Sequence, residues 1–447
     1  MNRKAEDTLR SEGHFSYNQL LAFFIPLGFS ASLTAITHVI INGTMSRGEN
    51  AAFIIACYAI AMSIFGIIEK PLIIFRQTCS ALVKDKKSFK VLFLFLLYVV
   101  AAVLLICFIL GFTAIGDWVF VHWFNAEPNM VETISNTFKI LTVVMVLSGI
   151  RGIYEGIIIR EQKTKWLTIM VVVRLATMLI ASYLFVVSGY ITSLTGAMIF
   201  LIGMAVESII SVWKGQSLLN GKKRSRSKLK MKGVTRFYFP VLFYFISQTL
   251  LIPVIYVFLS KTSDKNLAIA SFALAISITG MVLSFFSYTH QLVLQFYEEH
   301  GKKVARFTIV ISFIPSILLS TLCFTPIGSW FMGVVMGANA SLAEATINVL
   351  KVFIVKTIVF PWVDFMNGFF MLRRKTNKIL IAQILNLTTV IIALIFLVNL
   401  FPEWNGLNGS IASTLGEVIG LIVVIIVFKR MGSAPSEKEK TSLFTRI

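Results

Sequence analysis

Seven basic side chains stand inside long apolar runs of this 447-residue chain: Lys70, Arg76, Lys139, Arg151, Arg174, Lys351 and Lys356. Five acids share those runs: Glu69, Glu155, Glu207, Asp364 and Glu417. A charge in an apolar span costs about 2.5–3.5 kcal/mol on insertion scales, so each such group is paired or used. Arg151 and Glu155 stand four apart on one helix face and can neutralise each other. Glu69 and Lys70 are adjacent, beside Pro71, where the chain can bend. They point in different directions, so one of them faces the interior. Lys139 and Lys351 lie about eight residues, or about 12 Å, inside the ends of their spans. Arg76 and His290 lie near the opposite ends of theirs, each followed by a glutamine, Gln77 or Gln291. Together the four cations form a ladder that could pass an anionic solute between two access states. Snorkelling of long basic side chains to the interface is the competing reading. Asp364, with Asn367 nearby, could bind a proton or Na⁺, or serve as a structural hydrogen-bond acceptor. Glu155 is the second candidate for a coupling ion. His38 and Asn42, four apart on one face, and Gln77 and Gln291 are candidate cavity lining.

A repeat brings these residues into register. Ala56–Gly66, ACYAIAMSIFG, returns as Ala270–Gly280, ASFALAISITG, and Gln77 returns as Gln291 at the same offset. Ile115-Gly116-Asp117-Trp118 returns as Ile327-Gly328-Ser329-Trp330, Lys139 as Lys351, Gly156 as Gly368 and Lys163-Thr164 as Lys375-Thr376. Pro26 pairs with Pro240, and Gly196 and Gly203 with Gly409 and Gly416. The offset drifts by only two residues over the chain, as a duplicated half-protein requires.

The elements that must position these groups follow from composition. The chain is 57% hydrophobic and 14% charged, against about 25% charge in a soluble domain. Twelve apolar spans are predicted, roughly 17–45, 51–83, 89–113, 131–159, 165–188, 191–213, 233–259, 266–297, 306–323, 343–371, 378–400 and 409–428. The fold class is all-α integral membrane, with two six-helix lobes. Each copy has an even number of spans, so the lobes are parallel repeats about a pseudo-two-fold along the membrane normal. The domains are a tail 1–16, an N-lobe 17–213, a basic linker 214–232, a C-lobe 233–428 and a tail 429–447. Pro26, Pro240 and Pro253 fall inside spans one and seven and are the expected hinges.

Lysine and arginine set the orientation. Lys84, Lys86, Lys87 and Lys90, then Arg160, Lys163 and Lys165, then Lys302, Lys303 and Arg306, then Arg373 to Lys375 and Lys378 fill one set of loops. The alternate loops are nearly free of them, Arg47, Lys261 and Lys265 excepted. Both termini are therefore expected in the cytoplasm, in a multi-pass protein of the plasma membrane. The formal net charge of +20 is a topology signal, with attraction to anionic lipid as a second effect, and nucleic acid is not an expected partner. Cys57, Cys79, Cys107 and Cys323 lie in apolar segments without metal spacing, so they read as packing residues. No Walker loop, HExxH, CxxC or Gly-x-Ser-x-Gly occurs, so no enzyme, catalytic residue, metal site or cofactor is expected. The expected partners are a small-molecule or lipid-linked substrate and membrane lipids, with Na⁺ or H⁺ as a coupling ion, acting on a monomer.

Phe24-Ile25-Pro26-Leu27-Gly28, Ile41-Asn42-Gly43 with Ser46-Arg47, Cys57 to Ser63, and Gly368 with Leu372-Arg373-Arg374-Lys375-Thr376 resemble the family of transporters related to the progressive ankylosis protein. That family shares a superfamily with the multidrug and toxic compound extrusion transporters and the lipid-linked oligosaccharide flippases. The resemblance covers nearly the whole chain and implies a twelve-helix, two-lobed, V-shaped exporter. Drug-extruding members couple Na⁺ or H⁺ through lobe acids, whereas spans one and seven have none here and Asp364 is the best match. Ankylosis-type members are associated with export of pyrophosphate, citrate or ATP, and flippases with pyrophosphate-linked lipids. The expectation is a secondary-active exporter of an anionic solute or pyrophosphate-linked lipid, with alternating access. A cation-coupled multidrug antiporter and a non-transporting membrane scaffold are the alternatives.

Overall fold

The computed structural model describes residues 16–432 except 162, 164, 221–228, 288 and 374–376; these are helical nearly throughout and include no strand. The expected tails up to residue 15 and from 433, the middle of the basic linker, and the repeat residues Thr164, Lys375 and Thr376 lie outside the described residues. Helix is the form that satisfies every backbone donor and acceptor within one apolar segment. The first half contains α1 (Tyr17–Met45), α2 (Ala51–Ile68), α3 (Lys70–Ile73), α4 (Phe75–Leu82), α5 (Lys86–Phe112), α6 (Ala114–Phe124), α7 (Pro128–Arg160), α8 (Lys165–Ser188) and α9 (Ser193–Asn220). The second contains α10 (Met231–Thr249), α11 (Leu251–Leu259), α12 (Lys265–Phe286), α13 (Thr289–Ser312), α14 (Ile314–Phe324) and α15 (Pro326–Trp330). After a π-helical turn, Phe331–Val335, follow α16 (Ala340–Leu372), α17 (Asn377–Leu400) and α18 (Gly406–Gly432). Among the described residues, nine segments are long and apolar enough to cross a membrane. The other three crossings of the twelve are α1, α10 with α11, and α16.

Prolines explain where several helices break. Proline cannot donate to the carbonyl four residues back, and its ring crowds that carbonyl. Pro253 faces Thr249, and α10 ends there. Pro71 faces Ile67, and α2 ends at Ile68. Pro315 faces Ile311, and α13 ends at Ser312. By contrast, α1 runs through Pro26 and α10 through Pro240 as continuous helix. One forfeited hydrogen bond is carried by the flanking turns. Of the three expected hinges, Pro253 alone coincides with a break.

The first helix of each half crosses to the other half at the end that carries the basic loops. Leu20 and Phe24 of α1 are buried with Phe286, Phe307 and Phe370 of the second half. Gly28 permits the crossing, since a Cβ there would stand 2.5 Å from the Phe285 carbonyl oxygen. Reciprocally, Tyr238 of α10 packs on Phe75 and Phe95, at centroid distances of 5.3 and 5.0 Å. Its hydroxyl donates to the Pro71 carbonyl at 2.7 Å. Midway between the ends, α2 and α12 pack on each other through the two buried copies of the alanine-rich stretch.

At the opposite end the Ile-Gly-x-Trp repeat has a local cause. The Thr113 and Thr325 hydroxyls accept from the Ile115 and Ile327 N–H groups, each at 3.3 Å, and start α6 and α15. Gly116 and Gly328 pass so close to the Leu110 and Leu322 carbonyl oxygens that a Cβ would overlap them. Trp118 and Trp330 remain exposed, as suits residues at a membrane interface.

Candidate functional site

The alanine-rich repeat also builds a cavity at the seam of the two halves, ≈500 Å³ in volume. Ala59, Ser63 and Gly66 line one wall and their repeat partners Ala273, Ser277 and Gly280 the other. Among the described residues nothing beyond its own helix backbone lies within 4 Å of a Cβ built on Gly280, so the missing side chain leaves volume open. His38 and Asn42 of α1 also line the cavity. Glu69 and Lys70 both line it, because Pro71 ends α2 here. Glu69 turns toward α7 and accepts from the Ser148 hydroxyl at 2.5 Å. Lys70 has no hydrogen bond or ion pair among the described residues. The Tyr58 hydroxyl is buried and likewise without a partner. An ammonium and a phenol therefore stand unengaged at one mostly apolar cavity.

The first half's other charges close on themselves. Arg76 pairs with Glu155 at 3.6 Å and Arg151 with Glu155 at 3.8 Å. Glu207 accepts from Arg151 at 2.8 Å and from Arg174 at 2.7 Å. Arg174 also donates to the Thr37 hydroxyl at 3.0 Å, tying α8 to α1. Arg76 and Glu155 are thus engaged with each other, and neither lines the seam cavity. The Arg151–Glu155 pair was legible from its spacing. The Arg174–Glu207 pair was not, since its members sit on different helices. Gly156 holds this arrangement together, for its Cβ would stand 2.6 Å from the Arg76 carbonyl oxygen.

The second half repeats this contact with other residues. His290, the repeat partner of Arg76, bonds Asp364 of α16: its backbone N–H donates at 2.8 Å and its Nδ1 lies 3.0 Å from Oδ1. Gln291 Nε2 lies 3.0 Å from His290 Nε2. The amide donates there, which leaves the ring proton on Nδ1 for Asp364. Gln291 orients the imidazole rather than lining the seam, and Gln77 does not line it either. Glu155 and Arg174 of the first half have Asn367 and Asn386 as repeat partners, 212 residues on. Where the first half has Glu155 and Arg174, a cavity of ≈260 Å³ stands here, lined by Asp364, Asn367, Gln383, Asn386 and Glu417. The Oδ1 atoms of Asn367 and Asn386 are buried without a partner among the described residues. Lys356 bounds the region, donating to Ser413 at 2.8 Å and pairing with Glu417 at 3.8 Å.

Lys139 and Lys351 keep their symmetry but not the expected location. Each ammonium donates to the asparagine three residues back, Asn136 at 3.0 Å and Asn348 at 3.1 Å. Neither lines the seam, which is built by α1, α2, α9, α11 and α12 while α7 and α16 stand behind. The four expected cations therefore do not form one ladder in one cavity. Lys139 lines a separate pocket of ≈680 Å³ among α5, α6 and α7.

The end opposite the basic loops is tied shut across the seam. Arg47 donates to the carbonyl oxygens of Val334, Val335 and Met336 at 2.8, 2.7 and 3.0 Å and to its own Gly43. Ser46 also donates to Met336. Lys265 of α12 pairs with Glu127 at 2.6 Å and donates to the Asn125 carbonyl at 3.0 Å. The hydrogen bond from Lys265 holds the Glu127 carboxyl below the usual carboxylate range. Two of the three basic exceptions in the loop pattern thus bridge the halves. The third, Lys261, lies 5.7 Å over the Phe258 ring.

No protein-family model and no curated protein matches the sequence. The fold does match solved transporters along nearly its whole length. An inward-closed structure of the lipid II flippase MurJ aligns with TM-score 0.66 at 13% identity, covering 91% of this chain and 87% of that chain. An inward-facing multidrug resistance MATE family transporter of the MOP superfamily aligns with TM-score 0.62 at 14% identity, covering 91% and 96%. An outward-facing structure of such a transporter aligns less well, with TM-score 0.51 at 15% identity, covering 91% and 93%. The chain shares the all-α fold of these solved membrane transporters along nearly its whole length.

Proposed function

We propose that this chain is a secondary-active exporter or flippase that carries an anionic solute, or a pyrophosphate-linked lipid, out of the cytoplasm through the seam cavity. The unpaired Lys70 ammonium carries the reading. The neighbouring Glu69 carboxyl is turned to Ser148, so the Lys70 ammonium keeps its donors for an anion that enters this mostly apolar cavity. The Tyr58 hydroxyl, Asn42 and His38 line the same volume and can donate to anionic oxygens. The basic loops belong in the cytoplasm by the positive-inside rule, which places both termini there and the Arg47 ties at the outer face. Breaking those ties and closing the basic end turns the same cavity outward. Na⁺ or H⁺ couples the cycle at the second-half cavity, where Asp364, Glu417 and two open amide oxygens form an oxygen-rich site.

Uptake of labelled citrate or pyrophosphate and of a cationic dye into proteoliposomes tests this. The account expects anion movement in wild type that survives in the Lys139→Ala/Lys351→Ala double variant. Dye movement without anion movement would overturn it. The acids of the second-half cavity favour that alternative, a cation-coupled multidrug antiporter, in which Asp364→Asn would abolish dye extrusion. A scaffold without transport would move neither, and the open seam with its unpaired lysine argues against it.

A further inference from the structure

The pocket that holds Lys139 has a composition the transport reading does not use. It lies at the end away from the basic loops, between α5, the interfacial helix α6 and the start of α7. Three charged side chains line it: Lys139, Asp117 and Glu132. Among the described residues none of the three is in an ion pair. Lys139 is engaged only by Asn136 at 3.0 Å and by the Phe112 ring, 5.2 Å from its centroid. One cation and two carboxylates that face a common volume without pairing suit a ligand bearing both signs. A phosphate takes the lysine ammonium and the Asn136 amide. A primary ammonium, with three donors, takes the two carboxylates. A purely anionic ligand would meet a net negative wall.

An apolar track leads out of this pocket. Leu105, Phe108 and Phe112 recur at i, i+3 and i+7 on α5, all exposed, and the Phe108 and Phe112 rings stack at 5.4 Å. Residues at this spacing share one helix face, so the track runs along α5 from the polar mouth into the membrane. Trp118 marks the interface beside it. A headgroup in the pocket would place its acyl chains along this face.

We propose that this pocket binds an ethanolamine phospholipid, in the outer leaflet for the orientation given above, with Lys139 on the phosphate and Asp117 and Glu132 on the ammonium. The repeat supplies an internal control. Lys351 and Asn348 reproduce the Lys–Asn pair and Glu344 stands where Glu132 does, but Ser329 replaces Asp117, so the second half lacks the carboxylate pair. The site does not depend on the substrate of the seam cavity.

Native mass spectrometry of the full chain, released from nanodiscs with equal amounts of ethanolamine and glycerol phospholipid of identical acyl chains, tests the proposal. Wild type should retain the ethanolamine lipid preferentially. Lys139→Met should weaken retention about tenfold, the value of one charge-assisted hydrogen bond. Asp117→Asn/Glu132→Gln should abolish the preference while still binding lipid. Lys351→Met should match wild type, and thermal unfolding should show each variant folded. Equal retention of both lipids by wild type, or undiminished retention by Lys139→Met, would overturn the proposal. Displacement by free phosphoethanolamine would overturn the lipid assignment in favour of a soluble zwitterion.

Discussion

Replacing Arg47 with alanine should release the tied end and shift the protein toward an outward-open form. The guanidinium makes three hydrogen bonds across the seam, to the carbonyl oxygens of Val334, Val335 and Met336. Arg47 itself is exposed, so each bond deserves the low end of the usual range, about 0.5–1 kcal/mol. The freed carbonyls can turn to water at this end, so no burial penalty is added. The sum, about 1.5–3 kcal/mol, shifts the closed-to-open ratio roughly 10–150-fold. Lys265→Gln removes a further tie, leaving the Ser46 bond to Met336 in place, and since it acts on another helix the two effects should add. Gly337 gives an independent handle: it has φ +69°, and a Cβ there would collide with the Arg47 side chain. Double electron–electron resonance between spin labels at Glu49→Cys and Ala340→Cys, exposed positions on opposite sides of the seam, reads the opening. The native cysteines are buried and should stay unlabelled. A longer distance in Arg47→Ala, and a further increase in the double variant, is expected. An unchanged distribution in the Arg47→Ala/Lys265→Gln variant would refute the reasoning.

Glu207→Ala should destabilise the first half by about 3–5 kcal/mol, because the buried Arg174 and the half-buried Arg151 lose their shared carboxylate; an unchanged thermal unfolding temperature in detergent would contradict this. Gly156→Ala should cost about 1–3 kcal/mol by overpacking, since backbone at Arg76 blocks the new methyl, and the same assay reads it. The Lys265–Glu127 tie should also respond to pH. The folded-state carboxyl is depressed, so its contribution is present above the ordinary carboxylate value, about 4.3, and lost as pH falls through the lower folded value. Acidifying the Arg47 face should therefore lengthen the spin-label distance in wild type but not in Glu127→Gln.

The architecture was readable because lipid leaves so few solutions. Apolar length fixes the crossings, basic loops mark one end, and the repeat from Ala56 and from Ala270 identifies the seam. His38 and Asn42, one helical turn apart on α1, stand on the same cavity. The site itself is less legible, because symmetric positions need not share one cavity. Lys139 and Lys351 recur because each caps a local Lys–Asn pair, and Arg76 and His290 recur because each ties span two or eight to an acid on span four or ten. Recurrence here marks structure shared by both halves. The asymmetric positions are the informative ones: Lys70 has Ser284 as its repeat partner, and the Glu155 and Arg174 network has Asn367 and Asn386. The Arg174–Glu207 pair and the Arg47 ties join residues far apart in sequence, and no periodicity encodes such contacts.

The central claim is that Lys70 meets an anionic substrate in the seam cavity. The most direct test is counterflow of labelled pyrophosphate or citrate in proteoliposomes containing wild type, Lys70→Gln or Lys70→Arg at matched protein levels. The account predicts loss of anion counterflow in Lys70→Gln and substantial retention in Lys70→Arg, which keeps the charge. Equal anion counterflow in wild type and Lys70→Gln would contradict it.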